Sequence, residues 1–241
     1  MLDIRMKLAR IDYQSSIEAL LPHIVEHCGA KSAPNDLDRL LAGLGKEAVP
    51  AALSLLKELD QDQKDSMVVW LIAAHEERLR ASANRRLVNL FGGPVVKIGQ
   101  FGCDDLPGAS LTLLASQVEI DYPALLASPV VGEGIDRLGE KSGLLKGAAK
   151  MAVRMGSLLP ASTLEGQALS LLNSPSLRKQ LLSVLQDGVA QAGLRVEVEE
   201  VTAEKSGAIP LPQTGSRPVQ ASAPALLLRL SQRAAELRRK G

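Results

Sequence analysis

Leu2, Ile4, Met6 and Leu8 alternate with Asp3, Arg5 and Lys7. A period of two places the apolar side chains on one face of a pleated strand and the charges on the other, so the chain reads as a half-buried β-strand from its second residue. A second alternation stands near the far end, where Leu194, Val196 and Val198 are interleaved with Arg195, Glu197 and Glu199. The two segments carry complementary charge, Arg5 and Lys7 against Glu197 and Glu199. Opposed charges on neighbouring strands add roughly 0.2–1 kcal/mol per pair. The first and last strands are therefore expected to lie side by side, closing residues 1–204 into one domain. A strand this early leaves no room for a secretory leader, which needs a cationic start and an unbroken apolar stretch. The expected location is the cytoplasm of a bacterial-type cell.

Between these strands the period lengthens. Ile17, Leu20, Leu21, Ile24 and Cys28 define an apolar stripe on a helix from about Tyr13 to Cys28. Leu37, Leu40, Leu41 and Leu44 continue at helical spacing after a loop, with Asn35 or Asp36 as cap, and a further helix carries Leu53, Leu55, Leu56 and Leu59. Met67 to Ala74 is apolar all round and predicts a central buried helix, charged from His75 and ending before Gly92-Gly93-Pro94. Val95, Val96 and Ile98, a turn at Gly102–Gly108 and the run from Leu111 to Asp121 predict a hairpin. Pro123 to Pro160 is small, apolar and Gly-rich, and reads as short helices around an adaptable apolar groove for a ligand or partner helix. Leu177, Leu181, Leu182, Leu185 and Val189 predict a helix stopped by Gly193.

The fold class that results is α+β. A sheet of about four strands, near 2–11, 94–101, 110–121 and 193–202, is covered by Leu-rich helices. A Pro-, Gly- and Ser-rich linker follows over 205–224, then a basic amphipathic helix over 225–241, and deletion of residues 205–241 is expected to leave the fold intact.

The segment 205–241 holds seven cations and one carboxylate, a net of +6, so with +1 for the whole chain the rest carries −5. An acidic body with a basic end points to a protein partner or an anionic surface, met by Arg229, Arg233, Arg238, Arg239 and Lys240. Nucleic acid is not the expected partner, because aromatics are only 2% of the chain and base-stacking platforms need several exposed rings. Two cysteines, Cys28 and Cys103, are too few for a disulfide framework. No apolar run approaches the roughly 18 residues of a membrane span.

Three short motifs carry chemistry. His23-Ile-Val-Glu26-His27 resembles the H-x-x-E-H pattern of the inverted zinc peptidases over five residues. That resemblance implies His23 and His27 as zinc ligands and Glu26 as the base activating a bound water. Asp104 or Asp105 stands at the distance of the third acidic ligand, where the family uses Glu. The stripe centred on Leu20 and Ile24 puts Glu26 on the opposite face, as on a solvated helix. Gly134–Ser142 departs from a phosphate-binding loop by an inserted Glu140. Leu211-Pro-Gln-Thr-Gly215 resembles the signal cleaved by sortases, but Arg229 interrupts the apolar stretch that should follow. The expected function is non-catalytic binding or scaffolding without a cofactor. A zinc-dependent hydrolase is the alternative.

Overall fold

The computed structural model describes residues 2–30, 36–104, 111–131, 161–206 and 218–240. Its strands are β1 (Leu2–Ile11), β2 (Val96–Lys97), β3 (Gln100–Asp104), β4 (Thr112–Ile120) and β5 (Val196–Lys205). They form one five-stranded sheet of order β2-β4-β1-β5, with β3 also paired to β4. The helices are α1 (Tyr13–Gly29), α2 (Asp36–Leu44), α3 (Ala48–Leu56), α4 (Gln61–Ala74), α5 (Glu76–Phe91), α6 (Tyr122–Ala127), α7 (Ala161–Leu172), α8 (Pro175–Gln191) and α9 (Pro218–Lys240). The class is α+β, as the alternating and helical periods predict. Of the turn predicted over Gly102–Gly108, residues 102–104 instead continue β3, and 105–108 lie outside the described residues, as do the stretch 132–160 with Gly134–Ser142 and Leu211–Gly215.

The chain divides into two compact units. One comprises Met1–Ala9, Glu77–Val189 and Glu197–Gly207, the other Arg10–Glu76, Ala190–Val196 and Ala208–Gly241.

The sheet belongs to the first unit. β1 runs antiparallel to β4, with Ile4 opposite Ala115 and Met6 opposite Leu113. β3 runs antiparallel to the same strand, with Phe101 opposite Ala115 and Cys103 opposite Leu113. All six side chains are buried, so the alternation that opens the sequence sets one continuous apolar face across three strands. α5 and α8 approach closely, because a Cβ on Gly188 would stand 3.0 Å from the Ala83 Cα.

β1 and β5 are neighbours. Lys7 Nζ lies 2.9 Å from Glu199 Oε2, as charge complementarity predicts. Arg5 pairs with Glu204 rather than with Glu197. The rhythm of β5 explains the difference: Val198, Val201 and Ala203 are buried while Glu199 and Glu200 are both exposed, so one extra residue shifts the register beyond them. β5 consequently runs on to Lys205, past the predicted end.

Two predicted elements are each split in two. The strand over 94–101 is interrupted at Ile98-Gly99. A Cβ on Gly99 would lie 2.9 Å from both Cβ and O of Gln117, which stands at φ 53° in β4, so the strands crowd there and the ladder breaks. Asn84 of α5 replaces the lost ladder bonds: Ile98 N–H donates to Asn84 Oδ1 at 2.7 Å, and Asn84 Nδ2 donates to Ile98 O at 3.0 Å. The long helix expected from Met67 towards Gly92 is α4 and α5, parted at His75. Within α4 the burial is one-sided: Met67, Val68, Leu71 and Ile72 are buried, whereas Ala73 and Ala74 are exposed.

The second unit is helical. Asp12 caps α1, accepting from Ser15 N at 3.0 Å and Ser15 Oγ at 2.7 Å, and these bonds hold its carboxyl below the ordinary range. Ile17, Leu20, Leu21, Ile24 and Cys28 are buried as the stripe predicts. Gly193 ends the turn after α8 at φ +110°, a conformation that favours glycine, and a Cβ there would meet Leu20 Cδ2 at 3.0 Å.

Candidate functional site

His23, Glu26 and His27 lie on α1, and all three are exposed. The helical period that buries Leu20 and Ile24 turns these residues outward. His23 meets another histidine, edge-on to the His75 ring with centroids 6.3 Å apart and planes at 86°. His75 is buried at 8% exposure, and its Nε2 lies 2.8 Å from Leu20 O. A carbonyl only accepts, so Nε2 carries the proton of this bond. Of the proposed acidic ligands, Asp104 closes β3 and Asp105 lies outside the described residues. Among the described residues no group of three or more His, Cys, Asp or Glu could hold a metal ion. The motif's spacing is helical, but α1 uses that spacing to hold up its solvent face.

The basic C-terminal helix is more informative. α9 begins at Pro218, earlier than the predicted 225, and packs against α2, α3 and α4. Leu227, Leu230 and Ala234 are buried at 4%, 3% and 0% exposure. Their spacing, three then four residues, is the core-facing stripe of an amphipathic helix. The sequence shows this stripe, whereas its docking on the body becomes visible only in the fold.

Where α9 meets α1, α3 and α4, its groove is lined by apolar side chains and Trp70. Beneath Leu226, Leu227 and Leu230 lies a recess of about 20 Å³, lined from below by Ile17, Leu21, Ala52, Met67, Trp70 and Leu71. That volume is near one water's requirement, and the Trp70 indole is the polar group among the lining side chains. The apolar groove that the sequence predicts over 123–160 lies mostly outside the described residues. The groove seen here is built by α1, α3 and α4, and the chain's own last helix fills it.

The five predicted partner-binding cations separate by position. Arg233 is held by Glu58, with Glu236 Oε2 3.1 Å from its other terminal nitrogen. Arg229 Nη2 lies 4.0 Å from the same Glu58 carboxylate. Arg238 donates to the carbonyls of Gly43 and Leu44, at the end of α2, where a cation offsets the helix dipole. Arg239 and Lys240 are exposed and have no carboxylate partner among the described residues. Sequence composition counts all five alike. The fold uses three of them internally and presents two.

A third cluster joins α1 to α4. Tyr13 donates its hydroxyl to Asp65 Oδ1, and Gln61 Nε2 donates to the same carboxylate at 3.1 Å. Burial first, then the bond to Asp65, push the Tyr13 phenol up to about 12. No local pattern in the sequence marks Tyr13, because its bond joins residues far apart along the chain.

No protein-family model, no curated protein and no solved structure matches this chain. The class defined by fold is an α+β protein, and among the described residues no helix is long and apolar enough to cross a membrane.

Proposed function

We propose that this is a non-catalytic binding or scaffolding protein of the cytoplasm whose recognition element is the end of α9. One observation carries the reading. Docking of α9 anchors Arg238 on the last carbonyls of α2 and leaves Arg239 and Lys240 exposed, side by side and unpaired among the described residues. Two neighbouring cations without a carboxylate partner attract an acidic partner or an anionic surface. The charge asymmetry of the chain agrees, because the basic end contrasts with a body of net −5.

Retention on an immobilised sulfated polysaccharide tests this reading. The full chain is expected to be retained and to elute with salt. Arg239→Glu combined with Lys240→Glu should elute at distinctly lower salt with unchanged helicity. Equal elution of the two proteins would overturn the assignment.

A further inference from the structure

We propose that α9 is a self-masked lipid-binding helix: released from its groove, it lays its leucine face into an anionic membrane surface, with its arginines at the phosphates. This rests on the reading of α9 as the recognition element and names the surface it recognises. The argument begins with what docking hides. Leu227, Leu230 and Ala234 form a buried stripe, and Leu226 joins them at the recess. Arg229 and Arg233 flank that stripe, and Arg238, Arg239 and Lys240 follow it. Against these five cations α9 carries only Glu236. An apolar stripe bordered by cations whose long stems reach to its edges is the build of a helix lying in the plane of an anionic interface. α9 lacks the apolar length to span a bilayer, so lying in the surface is the mode open to it.

Three features make the docked state reversible. The helix buries its apolar face in the groove, and its polar ties lie at the rim, Arg233 to Glu58 and Arg238 to the carbonyls of Gly43 and Leu44. A single exposed carboxylate, Glu58, faces both Arg229 and Arg233, and exposed ion pairs of this kind contribute little. Beneath the leucines the packing stays incomplete, leaving the small recess. Glu58 thus occupies the position that lipid phosphates would take, and the groove occupies the position of the acyl boundary. The two sets of contacts are mutually exclusive.

Trp70, the only tryptophan, lines the groove and reports its opening. The full chain and Glu58→Lys are compared by iodide quenching of Trp70. Both are also floated with phosphatidylcholine vesicles, with and without phosphatidylserine. Glu58 is exposed, so the substitution spares the core. Glu58→Lys is expected to make Trp70 more accessible and to raise flotation with the phosphatidylserine vesicles about fivefold, the scale of one lost surface pair. Flotation with phosphatidylcholine alone should stay low. Leu227→Ser with Leu230→Ser should also expose Trp70 but abolish flotation, because the inserting face is lost.

If Trp70 opens in Glu58→Lys without phosphatidylserine-dependent flotation, the lipid proposal falls. Retention on the sulfated column that still depends on Arg239 and Lys240 would then leave the recognition reading standing with a soluble acidic partner. If Trp70 accessibility does not change, α9 is not releasable and the masking proposal falls. If the column is also insensitive to the two cations, the recognition reading falls with it.

Discussion

Tyr13 shows how one side chain ties two helices that the sequence separates widely. Its hydroxyl bond to Asp65 is available only while the phenol is protonated. The folded phenol titrates at about 12 against an ordinary 10.0, so the protonated form is favoured by folding. The tie's contribution is therefore complete below pH 10 and lost as pH rises through about 12. Urea denaturation followed across that window should show stability falling, and Tyr13→Phe should lose part of that dependence while starting less stable at neutral pH. A Phe variant with the alkaline slope of the parent would remove Tyr13 as its cause. His75 makes a related point. Nothing near it in the sequence marks a helix break, since Glu and Arg after it favour helix as much as the residues before. At the break its ring meets Leu20 O at 2.8 Å, a partner that only folding supplies.

At the scale of elements, the instructive case is the outer edge of β5. The strand ends the sheet, and such an edge presents unpaired backbone groups to any passing strand. Here side chains from the α7–α8 region satisfy it. Asn173 Nδ2 donates to Ala203 O at 2.8 Å and Ala203 N–H donates to Asn173 Oδ1 at 3.0 Å. Val198 N–H donates to Gln186 Oε1 at 3.0 Å, and Arg178 Nε donates to Val201 O at 2.9 Å. Asn84 serves Ile98 in the same two-bond manner at the break between β2 and β3. Asn173→Ala is expected to cost about 1–3 kcal/mol, since both groups of Ala203 lose their partner. It should also raise light scattering in concentrated samples as the edge is exposed. Scattering and denaturation midpoint equal to the parent's would show that the edge needs no such cover.

For the whole molecule, the decisive event is the burial of α9. The sequence suggested a separable tail after a linker, removable without harm. In the fold, the last helix is part of the second unit's core: Leu230 is 3% exposed and Ala234 fully buried. Leu230→Ala is expected to cost about 2–5 kcal/mol, the range for emptying a leucine site that already borders a cavity. Trp70 fluorescence should report the lowered unfolding midpoint directly. Deletion of residues 218–240 should destabilise the unit further, leaving Leu21, Met67 and Leu71 open to water. A deletion variant as stable as the parent would return α9 to the status of an appendage.

What the sequence determined by itself was local and periodic. The period of two in Leu2–Leu8 and in Leu194–Glu199 was enough to make strands of them, because the pleat acts through nearest residues, and their opposite charges agree with the pairing that the fold then made. The stripe of Ile17–Cys28 likewise specified both a helix and its buried face, and with it the outward turn of His23, Glu26 and His27. Tertiary structure decided what no period encodes. The close approach of Gln117 to Gly99 broke a strand, Asn84 and Asn173 repaired backbone that a strand would otherwise pair, and Leu20 O captured His75. It also chose which arginines are spent and which are shown. Arg233 and Arg239 are equivalent in composition, but Glu58 meets only the first, because helix docking brings a carboxylate from far along the chain to one side of α9 and leaves the other end in water.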